Sequence, residues 1–139
     1  MGVFYVDCIV VNVRTPTKTA SLKRLLVDTG SEFTWLPAES LEAAGITVRK
    51  KDVSLRMANA QIVTRDIGYG ILQVNGFETV DELVFAQKGD LRLLGSRTLE
   101  GFGAVVDARR KRLVAAGPDP VAALGSPVPS DELPRSKLP

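Results

Sequence analysis

The chain has 139 residues, 45% of them hydrophobic and 24% charged, with a formal net charge of +2. That length suits one folded unit with its own core, and so small a charge does not by itself point to nucleic acid or an anionic membrane. Histidine is absent and Cys8 is the single cysteine, which excludes imidazole metal sites, Ser-His-Asp triads, Cys-His dyads and an internal disulfide. Chemistry is left to carboxylates, hydroxyls, amines and backbone.

Residues 3–13, "VFYVDCIVVNV", are rich in Val, Ile, Phe and Tyr and predict a strand. Asp7 and Asn12 interrupt the run and no basic flank precedes it, so it is a poor signal peptide. Val6 stands where a myristoylation motif needs Ser or Thr, and no apolar run approaches the roughly 20 residues of a membrane span. The expectation is a cytoplasmic protein with no membrane partner. Cys8, inside an apolar strand, reads as a small core residue rather than a nucleophile. "RTPTKTAS" (14–21) predicts a loop or hairpin end, and residues 22–27 a second strand that ends at Asp28.

"EFTWL" (32–36) predicts extended chain. "PAESLEAAG" (37–45) predicts a short helix, with Pro37 near its first position, Gly45 at its stop, and Leu41 and Ala44 on one side. Strand-like patches follow at 53–58, 61–67, 69–74 and 79–85, and Asn75-Gly76 is a strong hairpin signal. "LRLLG" (91–95) is another apolar run ending in a small residue. "SRTLEGF" (96–102) predicts one helical turn, and 103–117 a closing hairpin that turns near 109–111. Six of the eight prolines lie in 118–139, which predicts a folded domain over 1–117 and a Pro-rich, disordered tail over 118–139.

The stretch that carries chemistry is "LLVDTGS" (25–31), an aliphatic strand running into one acid and a tight turn. Asp, Thr, Gly and Ser are good turn formers, so Asp28 reads equally as a surface turn residue. As a catalytic group it is incomplete. Metal-free peptide hydrolysis needs one carboxylate as base and another as acid, roles that two carboxylates acquire when they share a proton. No second Asp-Thr-Gly exists in the chain; a twofold dimer would supply the mate.

"LLVDTGS", the "LRLLG" downstream and the hairpin-rich stretch between them resemble the retropepsin-like aspartic proteases of bacterial type, single-domain dimeric relatives of pepsin. The resemblance covers residues 3–117. It implies a mostly-β fold, a closed β-barrel half of the pepsin kind with one or two short helices and a β-hairpin flap. It further implies Asp28 as catalytic aspartate, Thr29 bonding across a dimer axis, and Gly30 allowing close packing. Ser31 would lend its hydroxyl to the Asp28 carboxylate and favour the charged form. Leu93, Leu94 and Gly95 would pass behind the catalytic loop. Residues 55–68 would form the flap, with Met57, Ala58, Asn59, Ala60 and Gln61 around its tip and over the substrate.

No cofactor or metal is implied. The partners implied are a second copy of the chain and an extended peptide, not nucleic acid. Leu26, Leu36, Ile67 and Leu93 are candidates to line subsites, and an acidic to near-neutral pH optimum follows from a shared proton. Two positions depart from the family pattern. Ala60 and Gln61 follow Asn59 where many relatives carry glycine, and Ser96, not Arg, follows Gly95, with Arg97 one place later. The runner-up is a catalytically silent domain of this fold, used for dimerisation or peptide binding; such a domain would be expected to lose Asp28 or Thr29, and both are intact. The basic run 109–112 reads as a solvated hairpin tip rather than a nucleic-acid patch. The spacing of Ser21-Leu22-Lys23 is wrong for a Ser-x-x-Lys hydrolase.

Overall fold

The computed structural model describes residues 3–118. Its strands are β1 (Tyr5–Val11), β2 (Thr19–Val27), β3 (Thr34–Pro37), β4 (Lys50–Arg56), β5 (Ile62–Val74), β6 (Phe77–Ala86), β7 (Leu93–Leu94), β8 (Ala104–Asp107) and β9 (Arg112–Ala115). Helix α1 (Ala38–Ala43) follows β3, and α2 (Ser96–Phe102) follows β7. One sheet runs β1-β2-β7-β3-β6-β5-β4, and β1 also pairs with β5, so six strands close into a ring and β4 hangs outside on β5. This is the mostly-β barrel expected. Closure leaves the ring without a free edge, and β4 with β5 extends as a hairpin.

Alternation writes the barrel into β1. Val6, Cys8 and Val10 are buried while Tyr5, Asp7 and Ile9 face outward, so Asp7 sits on the solvent side rather than interrupting the strand. Beside it β1 and β2 slip register between Val6 and Cys8. Arg24 there takes a φ of 57°, and its N–H donates to Asp7 Oδ1 at 3.1 Å. Burial, and secondarily the charge of Asp7, push the Cys8 thiol up to about 12. It stays protonated at neutral pH and acts as a core residue.

The 61–67 and 69–74 patches are one strand. Gly68 and Gly70 leave room for other chain instead of breaking it. A Cβ at Gly68 would stand 2.7 Å from the Thr47 carbonyl oxygen, and one at Gly70 2.9 Å from Leu83 Cδ1. Asn75 and Gly76, with φ of 50° and 87°, make the tight turn into β6, and Val74 pairs with Phe77 across it. Pro37 is the residue before α1 rather than its first, and Leu41 and Ala44 are fully buried beneath it. α2 is longer than the one turn expected and ends at Gly103 (φ 67°). β8 and β9 form the closing hairpin, with Lys111 at φ 53° in its turn.

Two apolar clusters result. The larger fills the barrel, with Val10, Leu25, Leu36, Leu72, Leu83 and Leu94 at its centre. The smaller joins Trp35, Leu55, Ile67, Val84 and Leu93 at the root of the β4–β5 hairpin. Leu36 and Ile67 are therefore core residues and not subsite walls. Among the described residues no helix is long and apolar enough to cross a membrane. Of the tail expected over 118–139, all beyond Pro118 lies outside the described residues.

Candidate active site

Asp28 is the residue after β2, and the Leu-Leu-Gly segment holds it in place. β7 runs parallel to β2, pairing Leu93 with Leu26 and Leu94 with Val27, and the Asp28 N–H donates to the Leu94 carbonyl at 3.0 Å. Buried Leu93 and Leu94 thus back the half-buried Asp28. The Gly30 N–H donates to Asp28 Oδ1 at 2.9 Å, and the Ser31 N–H closes the turn on the Asp28 carbonyl at 3.2 Å. A Cβ at Gly30 would meet that carboxylate oxygen at 3.2 Å. Ser31 departs from expectation: its hydroxyl donates to the Phe33 carbonyl at 2.9 Å and braces the loop, not the carboxylate. Thr29 is exposed on the rim beside Asp28.

Gly95 is where the two motifs touch. A Cβ there would collide with the Phe33 carbonyl oxygen and lie 2.8 Å from that of Glu32, so no side chain fits without moving backbone. The start of α2 then satisfies its free N–H groups on the same loop: Ser96 N–H to the Ser31 carbonyl at 2.7 Å and Arg97 N–H to the Glu32 carbonyl at 3.1 Å.

Beneath this contact lies a buried polar chain that ordinary-looking residues supply. The Gly95 N–H donates to Thr34 Oγ1 at 2.9 Å, Thr34 and Thr98 share a 2.6 Å bond, and the Thr98 hydroxyl donates to Asp81 Oδ2 at 2.9 Å. Thr98 spends its one proton on Asp81, so Thr34 must donate to Thr98. The chain therefore has one direction and ends on a carboxylate. Both threonines are fully buried, which is the setting in which such bonds matter most.

A cavity of about 580 Å³ opens above Asp28, with Gly30, Phe33 and Leu93 on the floor side and Ser54, Met57 and Ala58 on the side of β4. Met57 and Ala58 thus line the Asp28 cavity, whereas Asn59, Ala60 and Gln61 form the turn beyond it. That turn is closed by Met57 N–H to the Gln61 carbonyl (2.7 Å), Ala60 N–H to the Met57 carbonyl (2.9 Å) and Gln61 N–H to Asn59 Oδ1 (3.0 Å). Ala60 takes a φ of 69°, a left-handed conformation that suits the glycine many relatives carry.

An ion-pair strap joins α2, β6 and β4. The Arg97 guanidinium lies 5.0 Å from the Phe33 ring centroid and donates from Nη2 to Glu82 Oε2 at 3.1 Å, while Lys50, at the foot of β4, donates to Glu82 Oε1 at 2.6 Å. The bond from Lys50, aided by Arg97, holds the Glu82 carboxyl below the usual carboxylate range. Glu82, Thr34, Thr98 and Asp81 carry no local sequence signal. Pairing of β3 with β6, Thr34 opposite Leu83, brings Thr34 beside Asp81 and Glu82, and Thr98 reaches them from α2.

A family model described as aspartyl protease matches residues 17–101. The match takes in the Asp-Thr-Gly turn, the β4–β5 hairpin and the Leu-Leu-Gly segment. No curated protein matches the chain. With more than half its length matched and both motifs packed on one another, the chain belongs to the aspartyl protease family.

Proposed function

We propose that the protein is a homodimeric aspartic endopeptidase in which Asp28 of each subunit supplies half of one catalytic centre. The observation that carries this is the place of Asp28. A single carboxylate sits half-buried on the floor of a cavity under a hairpin, with one oxygen taken by the Gly30 N–H. Two such carboxylates brought together by a twofold axis would share one proton. The ionised one takes a proton from water, which attacks the scissile carbonyl, and the protonated one gives its proton to the carbonyl oxygen. Collapse of the tetrahedral intermediate then needs a proton on the leaving amine, which the same pair supplies. In this reading Thr29, exposed beside the acid, bonds across the axis, and the β4–β5 hairpin closes over an extended peptide and excludes water. A lone thiol with no disulfide partner fits a reducing, cytoplasmic setting.

The test incubates wild type and Asp28→Asn with an unfolded protein and a peptide library from acidic to neutral pH, with mass in solution measured alongside. Cleavage by wild type alone, from a dimer, is expected. Equal cleavage by both proteins would overturn the mechanism, and a strictly monomeric protein that cleaves would overturn the shared pair. A dimer that cleaves nothing would favour a peptide-binding domain.

A further inference from the structure

A second cavity, of about 670 Å³, lies on the other side of the Phe33–Arg97 stack. Its size falls in the range of ligand sites, roughly 300–1,000 Å³. Four cations line it, Arg14, Lys18, Arg49 and Arg97, against two carboxylates, Asp81 and Glu82. Each oxygen of those carboxylates accepts a bond within the chain. Asp81 accepts from the Glu82 N–H (2.7 Å) and the Thr98 hydroxyl (2.9 Å), and Glu82 from Lys50 (2.6 Å) and Arg97 (3.1 Å). Glu82 is thus committed to Lys50 and Arg97, and among the described residues Arg14, Lys18 and Arg49 form no ion pair, which leaves four cations against two carboxylates in the lining.

Their placement is built in. Asn12 fixes the loop that carries Arg14 by accepting from the Arg14 and Thr15 N–H groups at 2.9 Å, and by donating to the Ala44 and Gly45 carbonyls. Gly45, at φ 73°, leaves space for the Lys18 side chain, whose Cδ would lie 3.1 Å from a Cβ there. The Arg49 guanidinium sits 5.8 Å from the Tyr69 ring centroid. Like charges in excess around one cavity raise its potential, and an anion relieves it.

We propose that this cavity is an exosite for an acidic segment of the peptide whose scissile bond lies at Asp28, an assignment that rests on the protease reading. The two cavities share a wall: Arg97 belongs to the second and covers Phe33 of the first. A peptide carboxylate fits better than a free phosphate because the cations are interleaved with exposed Val13, Tyr69 and Val80. That mixture of cationic and apolar side chains suits a peptide carrying both acidic and apolar side chains.

The binding arm uses full-length Asp28→Asn and a labelled six-residue peptide alternating Glu and Val, with a Gln-for-Glu counterpart as control. The Glu peptide is expected to bind, to weaken steeply with salt, and to lose roughly tenfold or more in affinity in the Arg14→Glu/Arg49→Glu double variant, as charge reversal at complementary sites does. Equal binding of the two peptides, or no loss in the double variant, would overturn the proposal. Displacement by inorganic phosphate at equal concentration would overturn it by reassigning the site to small anions. The activity arm compares cleavage of one substrate with and without an acidic extension. A lower KM at unchanged kcat for the extended peptide, abolished in the double variant, supports the exosite. Cleavage indifferent to the extension overturns it. Binding of the Glu peptide by a protein that cleaves nothing supports an acidic-peptide site while the protease reading fails.

Discussion

Asp28 does little by itself; the residues that hold its loop decide whether its carboxylate stays in place. Thr98 is the clearest case. Thr98→Val keeps the shape but removes the donor to Asp81 and the acceptor for Thr34. A buried hydroxyl left without its bond costs about 1–3 kcal/mol. We expect a loss of that size in chemical denaturation, with kcat reduced more than KM because Gly95 and the loop behind Asp28 share the chain. Ala60 tests the opposite sign. Its φ of 69° places a Cβ where an L residue pays about 1–2 kcal/mol relative to glycine, part of which glycine returns as unfolded-chain entropy. Ala60→Gly should therefore raise stability by roughly 0.5–1 kcal/mol, read as a higher denaturation midpoint. A lower midpoint would show that the turn holds Ala60 without strain. From the sequence Ala60 was visible as a departure from the family pattern. Its left-handed backbone was not, because φ there follows from how β4 and β5 meet.

Elements are tied to one another by two ion-pair groups that answer to pH in the same direction. Arg65 on β5 grips Asp90 with Nε to Oδ2 at 2.7 Å and Nη2 to Oδ1 at 2.8 Å, and the Gln87 N–H adds a third bond at 2.8 Å. The bond from Arg65 holds the Asp90 carboxyl below its ordinary range, as the bond from Lys50 does for Glu82. A carboxylate whose folded pKa is depressed adds stability that is complete above the ordinary carboxylate range and is lost as pH falls through the lower folded value. Melting temperature should therefore hold from neutral pH down to the ordinary carboxylate range and drop below it. Asp90→Asn should lower it at neutral pH, by about 1.5–3 kcal/mol in stability for bonds between charged partners, and should flatten the acid limb. An unchanged acid limb would remove Asp90 from the account. Neither pair was legible in the sequence. Arg65 and Asp90 are one residue each in a strand and a loop, and only the folded hairpin brings them together.

At the scale of the whole molecule, the proposed mechanism, with one Asp-Thr-Gly per chain, makes activity a property of the dimer. Mixing wild type with an equal amount of Asp28→Asn and allowing exchange should leave about one quarter of the dimers with both aspartates, because subunits of a twofold dimer combine at random. Activity near that quarter supports the shared pair, whereas one half would mean that each subunit works alone. Dilution should likewise lower specific activity once the dimer dissociates.

The sequence by itself determined the local features. The aliphatic strand into Asp28, the Asn75-Gly76 turn, the Val- and Ile-rich strand over 3–13 and the Leu-Leu-Gly segment all depend on neighbours a few residues away. So the mostly-β fold and the family resemblance could be read before any coordinates. Only the tertiary structure decided the rest. It turned Ser31 to the Phe33 carbonyl rather than to Asp28, buried Leu36 and Ile67 in the core, and ran β5 unbroken through Gly68 and Gly70. It also set Arg97 over Phe33 and joined Thr34 to Thr98. The physical reason is the same in each case: these outcomes are contacts between segments far apart in the chain, whose partners closing the barrel alone selects.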